Sequence, residues 1–465
     1  MVLDIPTFTI LARGLGPLVV SVLAYAFWRY VSSRNGGEGR EERFLVITYI
    51  VSRFGLWIVF AAYMQRYVTT SDPILFYMPM LEHFLAGDTP IRDFFYPYGP
   101  LLMPSMLPFY QLLGGSLAGI SLFAILAEAI ALMLFLKSVS LLKSRGEITD
   151  SWVREALAVY LLNPATLYWT VFQGYHSVVQ TAYSMGALYC LLRGRFLIGY
   201  AVGLYGMAGS KLLAVLDWPA LLAIGRPRIV KLLLGAIPVV MTYVIFHLVT
   251  GDILFPFRFG HNYMGEGNIW YLLTLFGDPR SFYSMFPGNL LPALCFSTLF
   301  LLSLVRWLRN LRIGLATFSF HAALGMTTFT MSLLFMFSFY SPSYYIPMLM
   351  LPASLIVTCP TLRRRSTVWL LLLISGFCVS GDAMWVYLDK PRVLLDGVLD
   401  QSLRERFLTY FLTASILVRL VCFAMLARLG LNAVTTKLSP SQTGSSTAPS
   451  VQVKRGDVEA AYAVR

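Results

Sequence analysis

Carboxylates, a lone arginine and a run of tyrosines and prolines crowd one stretch of an otherwise oily chain. The stretch opens with Ser71-Asp72-Pro73 and reaches Tyr77, continues through Gly87-Asp88-Thr89-Pro90, and closes with Arg92-Asp93-Phe94-Phe95-Tyr96-Pro97-Tyr98-Gly99-Pro100. A carboxylate such as Asp72 can take the proton of a hydroxyl brought within hydrogen-bond reach. Cationic side chains can grip a phosphate through charge-assisted hydrogen bonds. Placed just after an apolar run, this is polar chemistry beside lipid. It suits an enzyme or transporter that handles a lipid-linked polar substrate.

The elements that must position these residues are membrane helices. The 465 residues are 57% hydrophobic and 13% charged, with a mean hydropathy of +0.68. A soluble protein of this length needs far more charge to cover its surface. Apolar runs of roughly 20 residues recur along the chain, which predicts an all-α, polytopic transmembrane bundle. Because the runs are continuous rather than alternating, a membrane β-barrel is disfavoured. The expected spans are roughly 9–30, 45–66, 117–142, 153–172, 178–193, 196–208, 209–224, 229–250, 287–308, 314–338, 344–360, 366–388 and 406–428, about thirteen. Those between Val178 and Ala223 are short, which is permitted for helices that line a protein cavity. The first run is read as a retained span and not a cleaved signal, because Arg29 follows it. Residues 1–432 form one transmembrane domain, and the Ser/Thr/Pro-rich 433–465 a disordered cytoplasmic tail.

The net charge of +13 needs no nucleic-acid partner, because the basic residues fall in short loops between apolar runs. Counted by alternate loops, fifteen Lys and Arg lie on one side and six on the other, so the first side is cytoplasmic. The long loops 67–116, 251–286 and 389–405 then share the outer side, where the chemistry is expected. The five cysteines show no CxxC or Cys/His spacing, so neither disulfides nor zinc are expected. No cofactor or metal is expected either.

In the first outer loop, Asp72 is placed to cap a helix that Pro73 begins. Ile74, Met78, Leu81 and Leu85 come after it at helical spacing, predicting a stripe that lies on the membrane. Pro79 should kink this helix, and Gly87-Asp88-Thr89-Pro90 should end it. A second apolar piece, Leu101 to Leu113, is expected to be broken at Pro104 and Pro108 and to be interfacial or re-entrant.

At these residues the chain resembles the GT-C superfamily of membrane glycosyltransferases, which use polyprenyl- or dolichyl-phosphate sugars as donors. The matching residues are Asp72, Tyr77, Gly87 with Pro90, and Tyr98-Gly99-Pro100-Leu101. Further similarities are Gln173-Gly174, Lys211 ahead of Trp218-Pro219, and Tyr344-Tyr345 with Pro347 and Pro352. The segment from Phe257 to Trp270, carrying Arg258, His261 and Glu266, is similar to a loop of polyprenyl-phosphate-mannose-dependent mannosyltransferases. The chain departs from the pattern in its extra first span and in having no Asp-x-Asp near Asp72.

The resemblance implies inverting transfer of a hexose, mannose favoured, to a glycolipid or glycan acceptor on the extracytoplasmic or ER luminal face. Asp72 would be the general base, and it can serve as helix cap at the same time. Arg258, His261, Lys211 and His176 are the candidates for the donor phosphate. For Lys211 the alternative is snorkelling to the interface, and for Arg258 and His261 contact with lipid headgroups. Tyr77, Arg92, Asp93, Tyr96, Tyr98, Glu266 and Tyr344 are the candidate substrate-binding residues. Arg92 and Asp93 equally suit a surface ion pair, and Glu266 a solvated loop. Glu128, mid-span, has no partner evident in the sequence. Two other classes stay open: a transporter or flippase of lipid-linked sugars, and a non-catalytic subunit of a glycan assembly pathway.

Overall fold

The computed structural model describes residues 19, 22–23, 25–30, 38–67, 73–225, 227–252, 268–274, 290–337, 345–362, 367–388 and 401–435. Most of these residues are helical, with no strand among them beyond one isolated bridge between Pro90 and Phe94. The first long rod, α1, runs through Glu38–Tyr49, a π-helical Ile50–Gly55 and Leu56–Ala62. Next come α2 (Met78–Ala86), α3 (Leu102–Leu112), α4 (Leu117–Ser144), α5 (Asp150–Leu161), the single turn Pro164–Leu167, α6 (Ser177–Leu192) and α7 (Phe196–Gly209). The chain continues through α8 (Trp218–Ala223), α9 (Ile229–Thr250), the short Ile269–Thr274, α10 (Leu290–Arg312), α11 (Phe320–Phe337), α12 (Ile346–Thr358), α13 (Thr367–Leu388) and α14 (Gln401–Thr435).

Among the described residues, six helices are long and apolar enough to cross a bilayer: Arg43–Ala62, Leu117–Ser144, Ile229–Thr250, Leu294–Arg312, Phe320–Phe337 and Thr413–Thr435. They divide by what they face. Helix α9 turns Leu233, Ile237, Val244 and Leu248 outward, each more than 40% exposed, which in water would be an apolar patch and in lipid is a matched surface. Helix α11 is largely buried, and every residue of α12 is buried. Helices α11 and α14 lie backbone to backbone where Gly325 meets Gly430. A Cβ on either glycine would come within 2.6 Å of the other's carbonyl oxygen, the small-residue contact that lets membrane helices approach closely.

Several expected spans are shorter or broken. Helix α7 has 14 residues, or roughly 21 Å of rise, and packs against both α6 and α9. Residues 209–224 are not one helix but a 3-10 stretch, Leu212–Asp217, followed by α8. The run 153–172 breaks at Asn163-Pro164. Pro164 cannot continue the hydrogen-bond ladder, and the Asn163 side chain caps the next turn by accepting from Ala165 N–H at 2.9 Å.

That break is locked by an ion pair inside the bundle. Arg53, in the π-helical turn of α1, forks onto Glu128 of α4, with Nε–Oε2 at 3.1 Å and Nη2–Oε1 at 3.0 Å. Its remaining donors reach Ser52 Oγ, Thr166 Oγ1 and the carbonyl of Leu161. That carbonyl is one of those the end of α5 leaves without a helical partner. Tyr160 donates to Glu128 Oε1 at 2.9 Å. Both charged side chains are fully buried, and all five guanidinium N–H groups are used. The mid-span carboxylate of Glu128 thus has its partner in Arg53.

Candidate functional site

The first outer loop enters the protein through a π-helical turn, Pro73–Tyr77, that runs into α2. Pro79 lacks an N–H, and the ladder upstream of it widens instead of kinking. The extra residue of the wide turn rotates the helix beyond it. The stripe that enters the core is therefore Pro73, Tyr77, Met80 and Leu81, while Leu85 stays exposed. Of the expected membrane-lying stripe, Leu81 faces the protein core. Gly87, at a φ of 82°, ends α2 as expected. Pro104 and Pro108 do not break α3, which runs on through both and buries Leu102, Met103, Met106 and Tyr110.

Just ahead of α3, residues 96–101 are clamped onto the end of α7. Gly99 N–H donates to Ser210 O at 3.0 Å and Leu101 N–H to Ala208 O at 2.9 Å. Only glycine fits here, because a Cβ on Gly99 would lie 2.4 Å from the carbonyl oxygens of Met207 and Ala208. Tyr96, buried, donates to the carbonyl of Gly99 at 2.7 Å and so braces the same loop. Ser210 Oγ in turn donates to the backbone carbonyl of His176 at 3.3 Å.

Five segments thus deliver one cluster. Tyr77 Oη and His176 Nδ1 share a hydrogen bond of 2.5 Å. Lys211 Nζ donates to Tyr345 Oη at 2.6 Å and lies 5.3 Å from the ring centres of both Tyr98 and Tyr345. The rings of Tyr98 and Tyr345 stand edge-on to His176 at 5.1 and 5.8 Å. Tyr77, Tyr98, Tyr175, His176 and Tyr345 are buried and Lys211 is half-buried. The Tyr345 phenol oxygen and the nearby Tyr98 ring hold the ammonium in place. Burial, reinforced by the Lys211 charge, holds the His176 imidazole well below its usual range, so the ring is neutral. A fixed ammonium, a neutral imidazole and phenol hydroxyls together can receive an oxyanion.

Of the residues expected from the sequence, Tyr77, Tyr98, His176 and Lys211 come together, and Tyr345 joins them from beside Tyr344. Asp72, Arg258, His261, Glu266 and Tyr344 lie outside the described residues. The structure does not bring Arg92 and Asp93 into the cluster. They pair with each other at 3.3 Å on the surface. Asp93 also accepts from Thr89 N–H at 2.8 Å, the main reason its carboxyl sits below the ordinary range. Its own N–H donates to Thr89 O at 2.9 Å. The result is a closed turn around Ile91, whose φ of 69° is strained for a β-branched residue. Tyr96 braces the loop that carries Tyr98. Asp88 pairs with His83 at 2.7 Å, and the His83 ring stacks on Phe94.

Sequence reasoning passed over Arg53 and His83. An arginine within an apolar run is itself a signal, because burying it is costly without a partner. Among the described residues, no group of three or more His, Cys, Asp or Glu is placed to hold a metal ion. Comparison with protein-family models, with curated proteins and with solved structures returned no match.

Proposed function

We propose that the chain is a GT-C-type membrane glycosyltransferase that moves a hexose, mannose first, from a polyprenyl- or dolichyl-phosphate donor to a glycolipid or glycan acceptor. The finer topology belongs to the same reading: about thirteen spans, with the clustered end of the bundle on the extracytoplasmic side. The observation that carries it is the Lys211 ammonium, bonded to the Tyr345 phenol and 5.3 Å from the Tyr98 ring centre, beside the Tyr77–His176 pair. Asp72 directly precedes the Pro73–Tyr77 turn in the chain.

In this reading Asp72 takes the proton of the acceptor hydroxyl as that oxygen attacks the anomeric carbon. The bond from that carbon to the phosphate oxygen breaks, with inversion. The lipid phosphate leaves with its negative charge held by Lys211, and by Arg258 and His261 from the second outer loop. Neutral His176 is a hydrogen-bond partner there and not a counter-charge. A positioned base is worth ~10²–10⁴-fold in rate.

The test is incubation of purified protein with polyprenyl-phosphate sugars and a membrane lipid extract, with products read by mass spectrometry. Asp72→Asn and Lys211→Met should each cut transfer by about 10²-fold or more, while inserting and melting like the parent. Full activity in both variants retires the proposal.

A transporter of lipid-linked sugars has one observation in its favour. Polar groups trail inward from the cluster along α6, where Gln180 and Ser184 both donate to the buried carboxylate of Asp217. These three line a small interior cavity, which shares Ile224 and Phe320 with a larger one, about 330 Å³, near His321 and Arg145. Movement of a lipid-linked sugar across vesicles without any transfer product would favour this reading over the enzyme.

A further inference from the structure

At the end of the bundle opposite the cluster, four guanidiniums from three loops converge on one concavity. Arg145 follows α4, Arg193 and Arg195 bracket the turn from α6 to α7, and Arg228 precedes α9. Together they line an open basin of about 780 Å³ whose apolar wall includes Leu192, Phe196 and Ile224. The charge bias of cytoplasmic loops explains why arginines lie on this face but not why they surround one hollow.

Their surroundings favour an anion. Arg228 lies over the Phe196 ring at 4.4 Å and Arg193 over the Tyr189 ring at 5.4 Å. Both guanidiniums are therefore held and not simply waving in solvent. Arg145 donates to the Leu192 carbonyl at the end of α6. Among the described residues, Arg193, Arg195 and Arg228 form no ion pair. Glu147, 3.9 Å from Arg145, is the one acidic residue that lines the basin. Against that one carboxylate, four guanidiniums leave the concavity with an excess of positive charge that a bound anion would offset.

The same place offers a home for acyl chains. Leu197 and Ile198, in the first turn of α7, and Ile229 and Val230, in the first turn of α9, are 42–70% exposed beside the basin. We propose that the basin binds the phosphate of an anionic phospholipid, whose chains run along these aliphatic side chains into the bilayer. The proposal stands whether or not the opposite end is a glycosyltransferase site.

The test offers phosphatidic acid and phosphatidylcholine to the purified full-length protein in neutral detergent, with retained lipid read by native mass spectrometry. The wild type should keep phosphatidic acid about tenfold better than phosphatidylcholine. The triple variant Arg193→Gln/Arg195→Gln/Arg228→Gln should lose that preference, and the triple Arg→Lys variant should recover part of it. Arg306→Gln/Arg309→Gln removes charge from exposed positions that do not line the basin, and should keep the preference. Melting curves check that each variant is folded. No preference in the wild type, an unchanged preference in the folded Gln triple variant, or equal loss in the control pair overturns the site. In a second arm, inorganic phosphate that displaces the lipid at matching concentration overturns the lipid as its occupant.

Discussion

His176 sits where a charge would be least welcome, buried at the start of α6 beside the Lys211 ammonium. Its pKa in the folded protein lies well below its usual 6.5, so the unfolded chain takes up a proton that the folded chain refuses. The stability this contributes is present above pH 6.5 and is lost as pH falls below it. Melting temperature should therefore drop between pH 7.5 and pH 5.5 by more in the wild type than in His176→Gln. Parallel curves would show that the ring is not held neutral. The cluster was partly legible in the sequence, because Lys211 and His176 are polar groups in apolar surroundings and have to be accounted for there. Arg92 and Asp93 are a harder case. A solvated ion pair that closes a turn leaves the same two letters in the sequence as a pair that grips a substrate, and only burial tells them apart.

Among the elements, the long helices were readable from runs of apolar residues, and the breaks between them were not. The π-helical turns at Ile50–Gly55, Pro73–Tyr77 and Tyr168–Phe172 each shift the register by a residue. A pattern read at 3.6 residues per turn cannot track them, which is why Leu81 was read into the membrane-lying stripe of α2 although it is buried. The first of these turns aims Arg53 at Glu128. Removing one partner of a fully buried pair strands the other charge, at a cost of about 3–5 kcal/mol. Arg53→Met and Glu128→Leu should each lower stability by about that much, and the double variant should recover most of the loss. Chemical denaturation in detergent measures the cycle. Simple additivity of the two losses would mean that the charges do not depend on each other.

The whole molecule is a helical bundle with a tyrosine-rich polar cluster at one end and an arginine-ringed basin at the other. That polarity was visible in the sequence as unequal Lys and Arg counts in alternate loops. The number of crossings is less legible, because short helices such as α7 and α12 carry the apolar signature of spans at less than the usual length. In a cysteine-free background, Asp93→Cys should react with an impermeant thiol reagent from outside intact cells. Arg195→Cys should react only after permeabilisation, and labelling of both from one side would refute the assigned orientation. The Arg53–Glu128 pair also bears on how the protein is made. The partners are 75 residues apart in the chain, so at roughly 5–20 residues per second the ribosome delivers the carboxylate roughly 4–15 s after the guanidinium. For that interval nascent α1 carries an unpaired guanidinium, at a cost of about 2.5–3.5 kcal/mol in the bilayer, which the later helix relieves when it emerges.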